Sequence, residues 1–511
     1  MRQFHDLSAV FVRMLATALI VSCTFAASLA AAPAPTAHAD QLPNPDWVAL
    51  LSDYEKDYWQ APKDKAHGGK VLNVATMKRD EDLAVAINHK GAENLDGNGL
   101  NDQRKRALVD SDLYGEETMP DALGPTLGRY MSEGFKQGRL GRVSDLFKFN
   151  VASTYQSKRA AMHPRPYLDR TVSTYDGTND LAGLPATLDI KESPSWGEHI
   201  PGYSNLQKNS SYPSGHTTTA YSWGVALAGM IPELAPQIMA RTSEAGNNRI
   251  VLGVHYPLDI MGGRIGGSAQ NGQYWHNEFG TSIEPAARQL RGYLTERCRA
   301  DGHGDTLARC IADLKANGED GYTNTFLDPV ADEPVTDQAS AVRVYTKRMT
   351  YGFPQVASEK GKPFAAPRGA ADVLRLAYPQ LHADQRAEIL ARTAIDSGYP
   401  LWESSDGWQR INWAAALCAR VTLDERGDVV KVETADKTRL DGPEVVNAQY
   451  ADRGAHPASD AAAGENTAGP AGPRAVAAAM NARAAIAVAI GTCAAFAVVA
   501  ALRARDRRRA A

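Results

Sequence analysis

The sequence predicts an all-α fold, on three observations. Apolar residues recur at three- and four-residue spacing from Asp40 to about Ile265, polar turns divide these stretches, and strictly alternating runs are scarce. The 511 residues hold 55 Lys+Arg against 59 Asp+Glu, with 43% apolar residues and five cysteines. That balance excludes a disordered chain, a collagen-like repeat and a disulfide-dense miniprotein. A formal net charge of −4 gives no reason to expect a nucleic-acid partner.

Taken in order, the chain opens with Arg2 and Arg13, an apolar run from Met14 to Ala32, and Ala37-His38-Ala39 before Asp40. A charged start, a short apolar stretch and small residues around a cut site predict a signal peptide over 1–39. Ile20-Val21-Ser22-Cys23 resembles a bacterial lipobox and would instead lipidate Cys23, but the small residues beyond it suit ordinary cleavage. Leu127 to Phe147 and Thr217 to Met230 are the clearest helical stretches. Asp96 to Asp102 lacks the Gly and Glu placement of an EF-hand and reads as a surface turn.

Between Tyr322 and Phe364 the pattern is irregular, and a second helical portion is expected at Ala370 to Tyr378, Ala383 to Ala394 and Gly407 to Arg420. Val421 to Val432, with Gly427 and Asp428 in its turn, reads as a small hairpin. Residues 451–483 are dominated by small and polar residues, cannot support a packed core and read as a stalk. Ala484 to Leu502 carries no charge, and as a helix at ~1.5 Å per residue it is about 28 Å long, enough to cross a bilayer. Arg483 and the Arg-rich residues 503–511 bound it, which keeps the basic tail in the cytoplasm and places the body outside the cell. Removing the +1 of residues 1–39 and the +4 of 503–511 leaves −9 on that body.

Of the cysteines, Cys298 and Cys310 are expected to pair over Asp301 to Gly304 in an oxidising compartment, and Cys418 to serve as a small core residue. None has the clustered spacing of a zinc site.

Three segments combine cationic side chains with imidazole. They are Lys158-Arg-Ala-Ala-Met-His-Pro-Arg165-Pro166, Pro213-Ser214-Gly215-His216, and Arg249-Ile-Val-Leu-Gly-Val-His255-Tyr-Pro-Leu-Asp259. Any one alone is most simply an ordinary surface or helix-start pattern. Together, Lys158, Arg165 and Arg249 offer three permanent cations suited to a tetrahedral oxyanion. Ser214 and Gly215, at a helix entry, offer backbone N–H groups to the same anion. His216 and His255 change protonation near neutral pH, as a nucleophile and a general acid require. If a helix opens around Tyr256-Pro257, Asp259 reaches the His255 imidazole and orients it.

The order Lys-x6-Arg-Pro, Pro-Ser-Gly-His, Arg-x5-His-x3-Asp resembles the type 2 phosphatidic acid phosphatase superfamily, PAP2, which includes nonspecific acid phosphatases, lipid phosphate phosphatases and vanadium haloperoxidases. The motifs cover Lys158 to Asp259, and beyond them the resemblance extends more loosely to exported actinobacterial-type members. One position departs: the family usually has Ser before the third-motif Arg, and here it is Asn248. The resemblance implies a PAP2-like helical bundle over 40–330, joined to a smaller helical extension over 331–450, the stalk over 451–483, a single transmembrane helix over 484–502 and the tail over 503–511. It implies that His255 attacks phosphorus with Asp259 behind it and that His216 protonates the leaving oxygen and then activates water. Lys158, Arg165, Ser214, Gly215 and Arg249 would hold the phosphoryl oxygens, with no metal required.

The expected protein is a membrane-anchored phosphomonoesterase whose partners are a small phosphorylated substrate and, through its last helix, the membrane. A single apolar helix outside the motif region favours water-soluble esters or diphosphates over lipids. One alternative is a haloperoxidase holding vanadate as cofactor in the same site. Another is a catalytically silent surface binding protein, against which the completeness of the motifs argues.

Overall fold

The computed structural model describes residues 41–63, 69–94, 103–166 and 209–447, all within the compact unit that ends at Ala455. In chain order its main helices are α1 Val74–Glu93, α2 Gln103–Asp110, α3 Pro125–Lys136, α4 Gly141–Phe149 and α5 Tyr155–Ala161. Then follow α6 Gly215–Met230, α7 Ala235–Val251, α8 Pro257–Glu278, α9 Glu284–Ala300, α10 Leu307–Ala316, α11 Gln338–Thr350 and α12 Ala383–Thr393. The strands are β1 Trp59–Gln60, β2 Lys70–Val71, β3 Ala419–Leu423, β4 Val429–Thr434 and β5 Glu444–Asn447.

Helices α6, α7 and α8 form the centre and are buried along almost their whole length. Small residues let them approach closely. A Cβ added at Gly224 of α6 would lie 1.9 Å from Thr242 Oγ1 of α7, and one at Gly263 of α8 would lie 2.7 Å from the Ser214 carbonyl oxygen. Local signals begin two of these helices. Ser214 caps α6 by accepting from the Thr217 N–H, and α8 opens with Pro257 while the Asp259 carboxylate reaches back to the Tyr256 N–H at 2.9 Å. Both caps belong to residues singled out for chemistry, so helix starts and candidate site coincide.

The mostly helical expectation holds in outline, with differences that have physical causes. The expected helical stretch Leu127 to Phe147 is two helices, because Gly138 adopts φ +68° between α3 and α4. The irregular stretch after Tyr322 contains α11, nucleated by Asp337, whose carboxylate accepts from the Ser340 N–H at 2.7 Å. Gly407 to Arg420 is not a helix: a 3₁₀ turn at Trp408–Arg410 and one α-turn at Trp413–Ala416 give way to β3. Ala370 to Tyr378 contains only the 3₁₀ turn Ala370–Leu374, whereas α12 lies where the periodicity predicts it.

The Val421 to Val432 hairpin forms as β3 and β4, antiparallel, with Gly427 at φ +86° in the turn, and β5 adds a parallel neighbour on the other side of β3. All-α and a helical extension are therefore too simple. The β-branched runs around Val421 and Val429 pair as strands because each can lay a half-buried face on the helices.

One apolar core runs from Leu50 to Leu440 and includes Tyr345, Trp408, Trp413 and Val421 from the C-terminal portion. That portion clasps α8 directly. Arg264 donates to the carbonyls of Gln409 at 2.8 Å and Met349 at 3.1 Å, and Trp413 Nε1 donates to Ser268 Oγ at 3.0 Å. The Cys298–Cys310 disulfide joins α9 to α10 as expected. Cys418 is buried, and desolvation pushes its thiol up to about 12, so it behaves as an apolar side chain. Among the described residues no helix is long and apolar enough to cross a membrane. The signal peptide, the Asp96 to Asp102 turn, the stalk, the Ala484 to Leu502 helix and the basic tail lie outside the described residues.

Candidate active site

The three motif segments meet where α5, α6 and α8 begin or end. His255 immediately precedes Tyr256, the residue that caps α8, and its Nδ1 is 3.0 Å from Asp259 Oδ2. On the other edge of the ring, Arg165 Nη1 is 3.1 Å from His255 Nε2 and 2.9 Å from the Val254 carbonyl. A guanidinium only donates, so Nε2 must present its lone pair and the ring proton must sit on Nδ1, donated to Asp259. The neutral ring is thereby held in the tautomer a nitrogen nucleophile needs. Arg165, Arg249, His255, Asp259 and Ser214 are all buried, whereas Lys158, Gly215 and His216 are partly open.

Lys158 Nζ donates to the Ser210 carbonyl at 2.8 Å and the Ser211 carbonyl at 3.3 Å. Arg165 also reaches the carbonyls of Asn209 and Ser210, each at 3.3 Å. Both cations are thus held against the strip of backbone that leads into the Pro213 to His216 turn. Gly215 occupies the first position of α6, where the N–H has no intrahelical acceptor, and its Cα faces Thr154 closely enough that a Cβ would lie 3.1 Å from Oγ1. Ser214 departs from expectation: its N–H is donated to the Asp259 carbonyl at 3.0 Å and its hydroxyl caps α6. It joins two site segments and does not offer its N–H to an anion.

His216 Nε2 is 3.1 Å from the Ser111 carbonyl, just after α2. A carbonyl only accepts, so Nε2 carries hydrogen and the proton that His216 exchanges resides on Nδ1. Sequence reasoning missed Ser111, and no side-chain pattern could have revealed a backbone acceptor 105 residues away.

Asn248, where the third motif departs from the family pattern, bonds to α2. Its Nδ2 donates to Asp110 Oδ2 at 2.7 Å and its Oδ1 accepts from Gln103 Nε2 at 3.2 Å, so its amide is committed to α2. Asp110 is held in turn by Arg241, at 2.7 and 3.1 Å.

The electrostatics follow from burial. Desolvation first, then Arg165, Lys158 and Arg249, push His255 well below the ordinary imidazole value of 6.5. Desolvation and Arg249 do the same to His216, against the opposing hydrogen bond to Ser111. The Asp259 carboxylate beside His255 does not reverse the direction. Lys158 is likewise held well below its ordinary 10.5 by desolvation and by Arg165. Burial and the surrounding cations disfavour the protonated forms of these groups, and an entering anion would oppose that.

Among the described residues no group of three or more His, Cys, Asp or Glu is arranged to hold a metal ion. An open groove of about 770 Å³ lies among Arg106, Asp121, Tyr322 and Phe326, and none of the site residues lines it. The convergent imidazoles and cations locate the chemistry.

Residues 150–270 match the family described as the PAP2 superfamily. The chain is 35% identical over 99 residues to an acid phosphatase of Zymomonas mobilis subsp. mobilis, covering 19% of this chain and 36% of that protein. It is 38% identical over 60 residues to a non-specific acid phosphatase of Providencia stuartii, covering 12% and 24%, and 37% identical over 65 residues to one of Salmonella typhimurium, covering 13% and 26%. The chain thus spans between about a quarter and just over a third of the length of these curated relatives.

Proposed function

With residues 150–270 belonging to the PAP2 superfamily as premise, we propose that this protein is a phosphatase that hydrolyses phosphomonoesters through a phosphohistidine at His255. The observation that carries the reading is the His255 ring, gripped on Nδ1 by Asp259 and presenting its Nε2 lone pair to Arg165. The names of its relatives, acid phosphatases, support the same reaction class.

In the first step a phosphoryl oxygen takes over the Arg165 N–H, His255 Nε2 forms a bond to phosphorus, and the bond to the leaving oxygen breaks. His216 gives its Nδ1 proton to that oxygen while Asp259 stabilises the charged His255 ring. In the second step His216 Nδ1 takes a proton from water, the water oxygen bonds to phosphorus and the P–N bond breaks. Lys158, Arg165, Arg249 and the Gly215 N–H stabilise the equatorial oxygens in both steps.

The reading extends to an exported enzyme held at the membrane, supported by the signal-like residues 1–39 and the uncharged Ala484 to Leu502 run beside a basic tail. Hydrolysis of a chromogenic phosphate ester in the presence of chelator tests the activity, with bromide oxidation by peroxide and vanadate measured alongside. Phosphate release that vanishes in His255→Ala, with an alkali-stable phosphoryl label trapped only on the wild type, is the expected result. Undiminished release from His255→Ala removes the mechanism, and bromide oxidation without phosphate release assigns the site to vanadate chemistry instead.

A further inference from the structure

We propose that His163 is a positioning residue for the catalytic carboxylate, acting through the hydroxyl of Ser211. The inference rests on the phosphatase reading and adds a layer to the same site.

With Ser211 donating to Asp259, the hydrogen bonds run in one direction. Asp259 Oδ2 receives the His255 Nδ1–H and the Tyr256 N–H, and its Oδ1 lies 3.3 Å from Ser211 Oγ. Ser211 Oγ lies in turn 3.0 Å from His163 Nδ1. A serine hydroxyl has one proton; given to the carboxylate, it leaves Oγ to accept, so His163 must carry hydrogen on Nδ1. The series then runs from His163 N–H to Ser211 O–H to Asp259, meeting the His255 N–H at the other carboxylate oxygen. The 3.3 Å link is long for an O–H···O bond, so the strength of the contact depends on what holds the hydroxyl in place.

His163 is built to hold it. The residue is buried and its ring is met edge-on by Tyr54, Trp59 and Tyr256, with centroids at 5.7, 4.5 and 5.3 Å. Trp59 is itself anchored by its Nε1, which donates to the Ala161 carbonyl at 2.9 Å. Backbone contacts join the same two segments: the Ser211 N–H donates to the His163 carbonyl at 2.8 Å, and the His163 N–H donates to Ser210 Oγ at 3.0 Å. These survive a side-chain change, so the imidazole's own role can be separated from the stitching of the chain. Tyr256 connects the aromatic enclosure to the cap of α8 and to His255, its chain neighbour.

The test uses the full chain with His163→Phe, which keeps a ring in the enclosure but removes the donor, and His163→Asn, whose amide N–H stands near the position of Nδ1–H. Ser211→Ala and the His163→Phe/Ser211→Ala double variant complete the set. On a chromogenic phosphate ester, His163→Phe and Ser211→Ala each lower kcat about tenfold with KM within about twofold of wild type. His163→Asn recovers most of the loss, and the double variant is no slower than Ser211→Ala alone. Long-range ¹H–¹⁵N correlations on histidine-labelled wild type show His163 as the Nδ1–H tautomer.

An Nε2–H tautomer at His163 overturns the proposal, because Ser211 would then donate to His163 and not to Asp259. Losses that multiply in the double variant also overturn it, as does a His163→Phe defect confined to KM and melting temperature. If the wild type releases no phosphate, the phosphatase reading fails while the tautomer measurement still decides the relay.

Discussion

His216 and His255 share one positively charged surrounding, yet the proposed reaction asks for a proton on the first and a lone pair on the second. Both are shifted below 6.5, so the signs can be worked through. Activity falls as pH rises through the His216 value and falls again as pH drops through the His255 value. The kcat/KM profile is therefore expected to be a bell centred on the acid side of 6.5; a rate that stays flat from about pH 4 to pH 9 contradicts a two-imidazole mechanism. Phosphate entering among Lys158, Arg165 and Arg249 offsets the field that depresses His216 and Lys158. Binding should take up protons, seen as an apparent enthalpy that changes with the ionisation enthalpy of the buffer. Equal enthalpies in all buffers would contradict that uptake. His216→Gln should lower the rate about 10²- to 10⁴-fold on alkyl phosphates and much less on nitrophenyl phosphate, whose leaving oxygen needs no proton. Equal losses on the two substrates would remove His216 from leaving-group protonation. At this scale the sequence marked the candidate side chains, because motif spacing selects residue types. It could not show that the Ser214 N–H is consumed by Asp259 or that Asn248 turns toward Asp110, since those partners come from other segments.

Among elements, the short helix α2 has a larger role than its eight residues suggest. Its last residue, Asp110, binds Arg241 and Asn248 of α7, and the next residue, Ser111, presents the carbonyl that fixes the His216 tautomer. One carboxylate thus ties together the segments that hold Arg249 and His216. Asp110→Ala leaves Arg241 buried and partly uncompensated, although Asp121 remains 2.9 Å from its Nε. The expected loss is about 3–5 kcal/mol of stability, measured as a lowered urea midpoint. An unchanged midpoint would show that Asp121 alone suffices. The Cys298–Cys310 bridge closes a loop of sequence separation 12, so Cys298→Ser with Cys310→Ser should cost about 2–3 kcal/mol in the same measurement, with catalytic constants preserved. Helices α6 and α12, and conditionally the start of α8, were legible from caps and periodicity because those signals are local. Residues 407–420 were not: an apolar run of that length suits a buried helix or a buried strand equally until its neighbours decide.

For the whole molecule, the segment expected to be an extension is part of the core. Residues beyond 330 contribute Tyr345, Trp408, Trp413 and Leu417 to the same apolar cluster as the motif helices, and they hold α8 by hydrogen bonds to Arg264. Each fully buried side chain of this size is worth roughly 1.5–3 kcal/mol, so losing four approaches the whole stability of a domain, about 5–15 kcal/mol. Truncation after Val330 should therefore yield insoluble or unfolded protein, detected by loss of a cooperative melt; an active truncated enzyme would show the core to be separable.

What the sequence by itself determined is a candidate set of side chains and its local staging. Lys158, Arg165, His216, Arg249, His255 and Asp259 were legible as a set, as was the four-residue reach from His255 to Asp259, because a helix start places those two side chains together without outside help. Tertiary structure decided which nitrogen of each imidazole holds its proton, that burial and Arg165 disfavour the charged form of Lys158, and that Met349, Gln409 and Trp413 hold α8. The physical reason is that tautomer, desolvation and field depend on groups brought together by folding: Ser111 for His216, Arg165 for His255, and Ser211 with His163 for Asp259.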